Sequence, residues 1–403
     1  MDDLRLGVIG LGPRSTLADY AHLPGGGSRI VACCDTDPRI LRAESARFGP
    51  DIAAVPDLDR MLDLDLDGVF VLTPDDTHEE IALRLLAAGV NVFLEKPMAI
   101  TVEGCDRILE AARRHRVRLY VGHNMRHMPV VQTLRALLTQ GAIGEVKAIW
   151  CRHFVGHGGD FYFKDWHADR TRTTSLLLQK GAHDLDVIHW LAGGVSRQVT
   201  ALGDLSVYGG ITDRADRSGQ RMRDWFDPDN NWPPASLTGL NPVVDVEDIS
   251  MMLMQLDNGV LASYQQCHFT PDYWRNYTVI GTEGRMENFG DESGAQVRVW
   301  NRRSNYRAEA DITVVVPPAS GAHGGADSEL VAEFCAFLRD GVQTLTSPVA
   351  AREAVAAGYA ATASLRAGGR PVAIEAVGDA IGEYYAAGQP GACRPTAHAG
   401  GVS

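Results

Sequence analysis

The sequence predicts an α/β half followed by an α+β half. The first is a doubly wound parallel sheet, and the second is built on a large, mostly antiparallel open sheet with helices on one side. Three observations carry this reading. Up to about His123, short apolar strands alternate with helical stretches, the pattern of βαβ units. From Gly144 onward long strands follow one another with few helices between them, which suits a sheet covered on one face. A chain of 403 residues also exceeds what one ordinary core supports. The division expected is 1–123, then 124–375 with C-terminal helices returning to the first domain, then a tail over 376–403.

In order, Leu4–Ile9 reads as the first strand, followed by Gly10-Leu11-Gly12-Pro13-Arg14-Ser15 and a helix-like stretch to Leu23. Arg29–Cys34 is the second strand, closed by Asp35, and Pro38 opens a helix where its missing donor costs little. Further strands read at Ile52–Val55, Gly68–Thr73, Asn91–Lys96 and Arg118–Gly122, with helices at Thr77–Ala88 and Val102–His115. In the second half, strands are expected at Val146–Phe154, Val199–Val207, Asp248–Leu256, Val260–His268, Tyr277–Gly281 and Val297–Asn301. Asp257-Asn258-Gly259 is a hairpin signal, because Asn-Gly accepts positive φ. One helix is expected from about Ser175 to Leu191, and two more at Ser328–Arg339 and Val349–Arg366. Gly209–Val243 shows no period, and a loop of that length is usually functional or an oligomer contact. The stretch beyond Gly388 is expected to be loosely ordered.

Composition narrows the function. Hydrophobic content of 45%, charged content of 22% and a net charge of −13 describe a globular protein without the basic face that nucleic acid or a membrane surface requires. Neither kind of partner is expected. The seven cysteines, among them the adjacent Cys33 and Cys34 and the terminal Cys393, form neither a disulfide framework nor a zinc spacing. The acidic start Met1-Asp2-Asp3 is unlike a signal peptide, and no apolar run would span a bilayer. A cytoplasmic location follows as an expectation, and no metal site is expected.

Gly10-x-Gly12 between a strand and a helix is the start of a dinucleotide fingerprint. Gly10 permits the tight turn, and Gly12 lets a pyrophosphate approach the backbone. Ser15 stands where the third glycine of G-x-G-x-x-G belongs, so the match is partial. Asp35 lies about 20 residues on, where an acid binds ribose hydroxyls and repels a 2′-phosphate. NAD is therefore expected over NADP, although Arg14 and Arg39 are near enough to offset the repulsion. Thr73-Pro74, with His78 four residues beyond the proline, is placed to close over the nicotinamide ribose, or is an ordinary helix cap.

Val92, Phe93 and Leu94 are apolar, and the strand then ends in Glu95-Lys96-Pro97. Charges at the carboxyl end of a parallel strand sit where open α/β sheets bind ligands, although a surface Glu-Lys pair reads the same way. Proline stops the strand and permits a cis bond. Farther on, Gln179, His183, Asp186 and Trp190 are spaced i, i+4, i+7, i+11 and share one helix face. A neutral imidazole there suits removal of a hydroxyl proton, with a solvated helix face as the alternative.

Together, Gly10-Leu11-Gly12, Thr73-Pro74 with His78, Glu95-Lys96-Pro97 and His183-x-x-Asp186 resemble the Gfo/Idh/MocA superfamily, which includes glucose–fructose oxidoreductase and inositol dehydrogenases. The resemblance reaches to about Arg366. It implies a Rossmann domain binding NAD(P), a second domain whose open sheet packs on another subunit as a homodimer or homotetramer, and hydride exchange with a sugar or polyol. It maps the catalytic pair onto Lys96 and His183. The cofactor would be held by Gly10, Gly12, Pro13, Arg14, Ser15, Asp35, Thr73, Pro74, His78, Glu95, Lys96 and Asn124. Lys96, Arg126, Gln179 and Asp186 would face the substrate.

Two departures stand out. Inositol dehydrogenase-like members carry an aspartate where this chain has Gln179, next to an unexpected Lys180. Either Asp184 or Asp186 supplies the missing charge, or His183 works with another partner. Met125 stands where relatives often have arginine. The altered histidine site admits an alternative seen in the superfamily: an NAD-dependent glycoside hydrolase that oxidises, eliminates, adds water and reduces back. A non-catalytic nucleotide-binding regulator is a further reading, against which the intact Lys96 and His183 count. On the substrate side, Gly156–His167 mixes aromatics, histidines and acids as a sugar site would, with Trp166, His167 and Lys180 the pocket candidates and a surface loop of ordinary packed aromatics the alternative; Pro271–Asn276 reads as a similar rim.

Overall fold

The computed structural model describes residues 2–227, 232–319 and 321–392. Met1, Cys393, residues 228–231 of the long irregular stretch and the end of the tail lie outside the described residues.

The first sheet contains β1 (Leu4–Ile9), β2 (Ser28–Cys34), β3 (Ala53–Val55), β4 (Gly68–Val71), β5 (Asn91–Leu94) and β6 (Leu119–Val121). The order is β3-β2-β1-β4-β5-β6 with every pairing parallel. This is the doubly wound order whose direction reverses beside β1, leaving a crevice at the strand ends there. All residues of β4 and β5 are buried, as expected for strands covered on both faces. On one face Phe70, Phe93 and Tyr120 meet Phe334 of helix Ala326–Asp340, with ring centroids 4.9–5.7 Å apart. Each fully buried ring is worth about 1.5–3 kcal/mol, so this returning helix is part of the first domain's core. The other face is covered by helices that include Val102–His115, an element whose bounds match the sequence reading.

The second sheet has nine strands. They are β7 (Val146–Phe154), β8 (Ser196–Asp204), β9 (Ile249–Leu256), β10 (Leu261–Cys267), β11 (Trp274–Gly281), β12 (Arg285–Phe289), β13 (Gln296–Trp300), β14 (Ile312–Val315) and β15 (Val372–Ala373). Their order is β14-β13-β12-β11-β7-β10-β9-β8-β15. Only the β7–β10 pairing is parallel. Helices Gly181–Ala192 and Pro348–Arg366 pack on one face, while Trp150, Leu202, Met251, Leu253 and Leu261 stand exposed on the other.

The helix-like stretch after Gly12 is a 3-10 helix, Pro13–Ala21. Three features differ from the sequence reading. The expected helix Ser175–Leu191 is two, Leu176–Gln179 and Gly181–Ala192, separated at Lys180. A Cβ on Gly358 would fall 2.8 Å from the Cα of Leu178, so the glycine lets helix Pro348–Arg366 seat directly on the short segment. The tail is packed as far as it is described: helix Asp379–Ala386 lies on the first domain, where the Tyr385 hydroxyl donates to the Leu109 carbonyl. Gln389 pairs with both backbone groups of Leu119, extending the edge of the first sheet. Finally, helix Pro129–Thr139 and strands β12, β14 and β15 were not expected.

Candidate active site

At the end of β1, Gly10 has φ +88°, and a Cβ there would lie 2.8 Å from the Leu72 backbone. Only glycine fits this turn. A Cβ on Gly12 would meet nothing within 4 Å, so its backbone faces open space, as a pyrophosphate cradle needs. Asp35 is pinned beside this turn by the backbone N–H groups of Leu11 and Asp37, each at 2.9 Å. One hydrogen bond per oxygen leaves each with further acceptor capacity. These features fit a dinucleotide.

The two nearby arginines are already engaged. Arg14 reaches Glu95 at 2.6 Å and Asp327 at 2.8 Å, and these carboxylates hold it firmly protonated despite its burial. Arg39 pairs with Asp37 at 2.7 Å. Arg14 is therefore a strut between the glycine turn, the end of β5 and the returning helix, and neither arginine is left unpaired for a 2′-phosphate. Asn124 donates to Asp327 at 2.9 Å and belongs to the same strut.

His78 is buried, with Nδ1 2.7 Å from the Pro97 carbonyl and Nε2 2.9 Å from that of Thr73. Both ring nitrogens are thus occupied in tying the Thr73–Pro74 turn to the Lys96–Pro97 turn. The sequence reading gave this histidine to the cofactor; its place is beneath the turn. Thr77 Oγ1 donates within the same turn, 2.7 Å from both Thr73 Oγ1 and the Pro74 carbonyl.

The Lys96–Pro97 peptide is cis. Lys96 Nζ donates to the Gln179 carbonyl at 3.3 Å, which brings the end of β5 against the break between the two short helices. Burial lowers the Lys96 pKa, and the carboxylates of Asp75 and Glu95 oppose that. Asp75, absent from the sequence reading as a site residue, is buried, with Thr173 donating to it at 3.3 Å. Burial raises its pKa.

His183 is buried against the same cleft, and its Nδ1 has no hydrogen-bond partner. Burial first, then the cations Lys96, Lys180 and Arg275, hold its pKa well below the ordinary imidazole value, so the ring is neutral at neutral pH. Neither candidate aspartate is its partner. Asp184 points into the sheet, where His153 Nδ1 lies at 2.9 Å, Arg275 Nε at 2.8 Å, the Tyr264 hydroxyl at 3.0 Å and the Tyr277 hydroxyl at 2.5 Å. Asp186 is gripped by both arms of Arg126, at 2.8 and 2.7 Å. The pair reads as scaffold, so the expectation that Arg126 and Asp186 face the substrate is revised: each fills the other's hydrogen-bonding positions. The ring of His323 stands 6.5 Å from that of His183.

Gln179 contributes its carbonyl, while its side-chain Oε1 is buried without a partner. Lys180 Nζ lies 5.9 Å from the ring centres of both Tyr162 and Tyr273. Trp166 stacks on the buried His167 at 3.7 Å, and His167 has its pKa depressed by burial and by Lys96, Arg172 and Lys180. The cleft thus gathers Lys96, His167, Lys180 and His183 from three segments.

The network around Asp184 escaped the sequence reading because its members come from β7, β10 and β11. Of its members, only Arg275 falls in a stretch the sequence reading singles out, the rim Pro271–Asn276. His323 carried no sequence signal. Among the described residues, no group of three or more His, Cys, Asp or Glu is placed to hold a metal ion, and no helix is long and apolar enough to cross a membrane.

Residues 4–123 match the sequence model of an oxidoreductase family with an NAD-binding Rossmann fold, GFO_IDH_MocA, and residues 131–287 match the GFO/IDH/MocA C-terminal domain. A protein named as the oxidoreductase YteT of Bacillus subtilis is 26% identical over 76% of this chain and 81% of its own length. The inositol 2-dehydrogenase of Ralstonia nicotianae is 33% identical over 49% of this chain, which spans 57% of that relative. Levoglucosan dehydrogenase, solved with NADH and levoglucosan, superimposes with a TM-score of 0.75 at 20% identity, covering 93% of this chain and all of the other. At that identity the likeness concerns the fold.

Proposed function

This chain belongs to the GFO/IDH/MocA oxidoreductase family, and from that premise we propose that it is an NAD-dependent dehydrogenase acting on a hydroxyl carbon of a sugar, polyol or glycoside. The observation that carries the reading is the Lys96–Gln179 contact, which sets an ammonium from the dinucleotide sheet beside the neutral His183. A substrate hydroxyl between them would donate its proton to the His183 imidazole. The Lys96 ammonium would stabilise the oxygen as negative charge develops on it. NAD, when bound, supplies the hydride acceptor. His183 lacks a carboxylate partner, so its driving force as a base comes from proximity and from the exclusion of water rather than from an ion pair. The two named dehydrogenases among the relatives act, by their names, on polyhydroxylated rings, which supports a carbohydrate substrate.

Asp35, together with the prior engagement of Arg14 and Arg39, supports NAD rather than NADP. The apolar face of the second sheet, with Trp150, Met251, Leu253 and Leu261 exposed, is a surface of the kind that joins subunits, and supports a homodimer or homotetramer.

The test is a screen of freshly purified protein with NAD against free sugars, polyols and aryl glycosides. Reduced nicotinamide accumulating with a free sugar or polyol establishes the dehydrogenase. Release of an aglycone that depends on bound NAD, with no net reduced cofactor, would establish a redox-neutral glycosidase instead. Full turnover in both Lys96→Ala and His183→Ala would move the site elsewhere.

A further inference from the structure

We infer that the substrate of this site is an acid, a carbohydrate bearing a carboxylate that pairs with Lys180; the inference rests on the hydride-transfer reading above. It starts from how the charges around the cleft are matched. Glu95 is held by Arg14, and Asp327 by Arg14 and His323. Asp186 is held by Arg126, and Asp184 by Arg275 and His153. Asp291 also faces Arg275, at 3.5 Å. Among the described residues Lys96 has no carboxylate within ion-pair reach; it donates to the Gln179 carbonyl, with Asp75 and Glu95 acting on it from farther off. Among the same residues no carboxylate comes within ion-pair reach of Lys180 either; its ammonium is met only by the two tyrosine rings at 5.9 Å. Ring faces return a small part of what desolvating an ammonium costs.

The position of Lys180 gives this mismatch a function. It occupies the break between two helices, directly after the residue whose carbonyl holds Lys96 and three before His183. Both Lys96 and Lys180 act electrostatically on His183 and on His167, so the two ammoniums lie near the same pair of histidines. A substrate whose hydroxyl meets Lys96 and His183 would present its carboxylate to Lys180 as a second substituent of the same ring. Among the described residues Lys180 is the ammonium left without either a carboxylate or a hydrogen bond, and it matches one negative charge. A phosphate ester would call for more donors, and the arginine nearest to hand, Arg275, is already committed to Asp184. An arriving anion would also restore the proton affinity of Lys180, which burial and the neighbouring cations lower to about 7.

The experiment uses NAD-loaded full-length protein and matched pairs: D-glucuronate with D-glucose, D-galacturonate with D-galactose, and D-gluconate with D-glucitol. Binding is measured by calorimetry and turnover by reduced nicotinamide. At least one acid should bind about tenfold to a hundredfold more tightly than its neutral partner, the range of a charge-assisted hydrogen bond. Lys180→Gln should remove that preference, and Lys180→Arg should retain most of it. The inference is overturned if no acid outcompetes its partner, or if Lys180→Gln weakens acid and neutral sugar alike. Lys180-dependent binding of an acid with no reduced nicotinamide from any compound would keep the anion site and sink the dehydrogenase reading. Turnover of neutral sugars with the acids ignored would do the reverse.

Discussion

His183 and Asp184 are neighbours in the chain and opposites in their surroundings. Asp184 faces the sheet, with His153, Arg275, Tyr264 and Tyr277 converging on it. His183 faces the cleft with Nδ1 unpartnered, and Lys180 beside it has rings for company and no carboxylate. A carboxylate met by so many donors and cations is costly to disturb, although Arg275 Nε and His153 Nε2 have no hydrogen-bond partner of their own. An unsatisfied group costs stability as it stands, and is retained where something else completes it. On this criterion Asp184, Asp186, Arg126, Arg14 and His78 are scaffold, and Lys96, His183 and Lys180 are the working groups.

The sharpest way to break the comparison is to alter the working groups and watch the fold survive. His183→Ala and Lys96→Met should each lower kcat by about 10²–10⁴-fold, the usual worth of a positioned proton acceptor or charge, with thermal unfolding unchanged or slightly raised. A drop in melting temperature matching the loss of rate would place both residues with the scaffold.

The converse change belongs to the sheet side. Asp184→Ala leaves Arg275 buried with only the more distant Asp291 to face it. Breaking a buried pair of this kind costs about 3–5 kcal/mol. The expected result is a large shift of the denaturation midpoint, with cofactor binding preserved in whatever protein remains folded. Unchanged stability would mean that the network is not the anchor its geometry implies.

Asp35 stands between the two classes, since two backbone donors engage it and its remaining lone pairs are free for a ligand. Asp35→Asn keeps an acceptor for the turn while removing the charge. NAD should weaken by about 10–100-fold, the equivalent of one or two charged hydrogen bonds, and the ratio of NADP to NAD activity should rise. A parallel loss of both cofactors in kinetic titrations would assign Asp35 to the turn alone.

How much of this could be read beforehand follows from the range over which each feature is encoded. β1, β7 and helix Val102–His115 have the bounds their periodicity announces, because burial of one face is a local pattern. The hairpin turn at Asn258–Gly259, with Gly259 at φ +82°, is equally local. The Rossmann sheet and its glycine turn were therefore legible. The break at Lys180 was not, since apolar periodicity runs on through Leu185 and Ile188, and the break depends on packing against Gly358, far along the chain. Partnerships were least visible: Arg126 and Asp186 are separated by 60 residues, and nothing in either neighbourhood tells a gripped carboxylate from a free one. β14 and β15 are a mostly exposed strand and a two-residue strand, recruited by the edges of an existing sheet rather than by their own pattern.

The smallest expected effect is the most discriminating. If Lys180 is kept for a ligand rather than for the fold, replacing it with the similarly long, uncharged methionine should stabilise the free protein, by something of order 1 kcal/mol for a partly desolvated charge. The pH dependence fixes the sign. The native state lowers the Lys180 pKa from 10.5 to about 7, so between those values the unfolded chain binds the proton more readily, and the lysine protein gains stability as pH rises. The advantage of Lys180→Met should therefore be full below about pH 7 and fade toward pH 10. Melting curves of the two proteins at pH 6, 8 and 9.5 measure it. A variant less stable than the parent at pH 6 would show that the ammonium has a partner in the fold after all. A variant more stable at pH 6, converging with the parent by pH 9.5, would mark Lys180 as a group whose cost the free protein bears for the sake of what it binds.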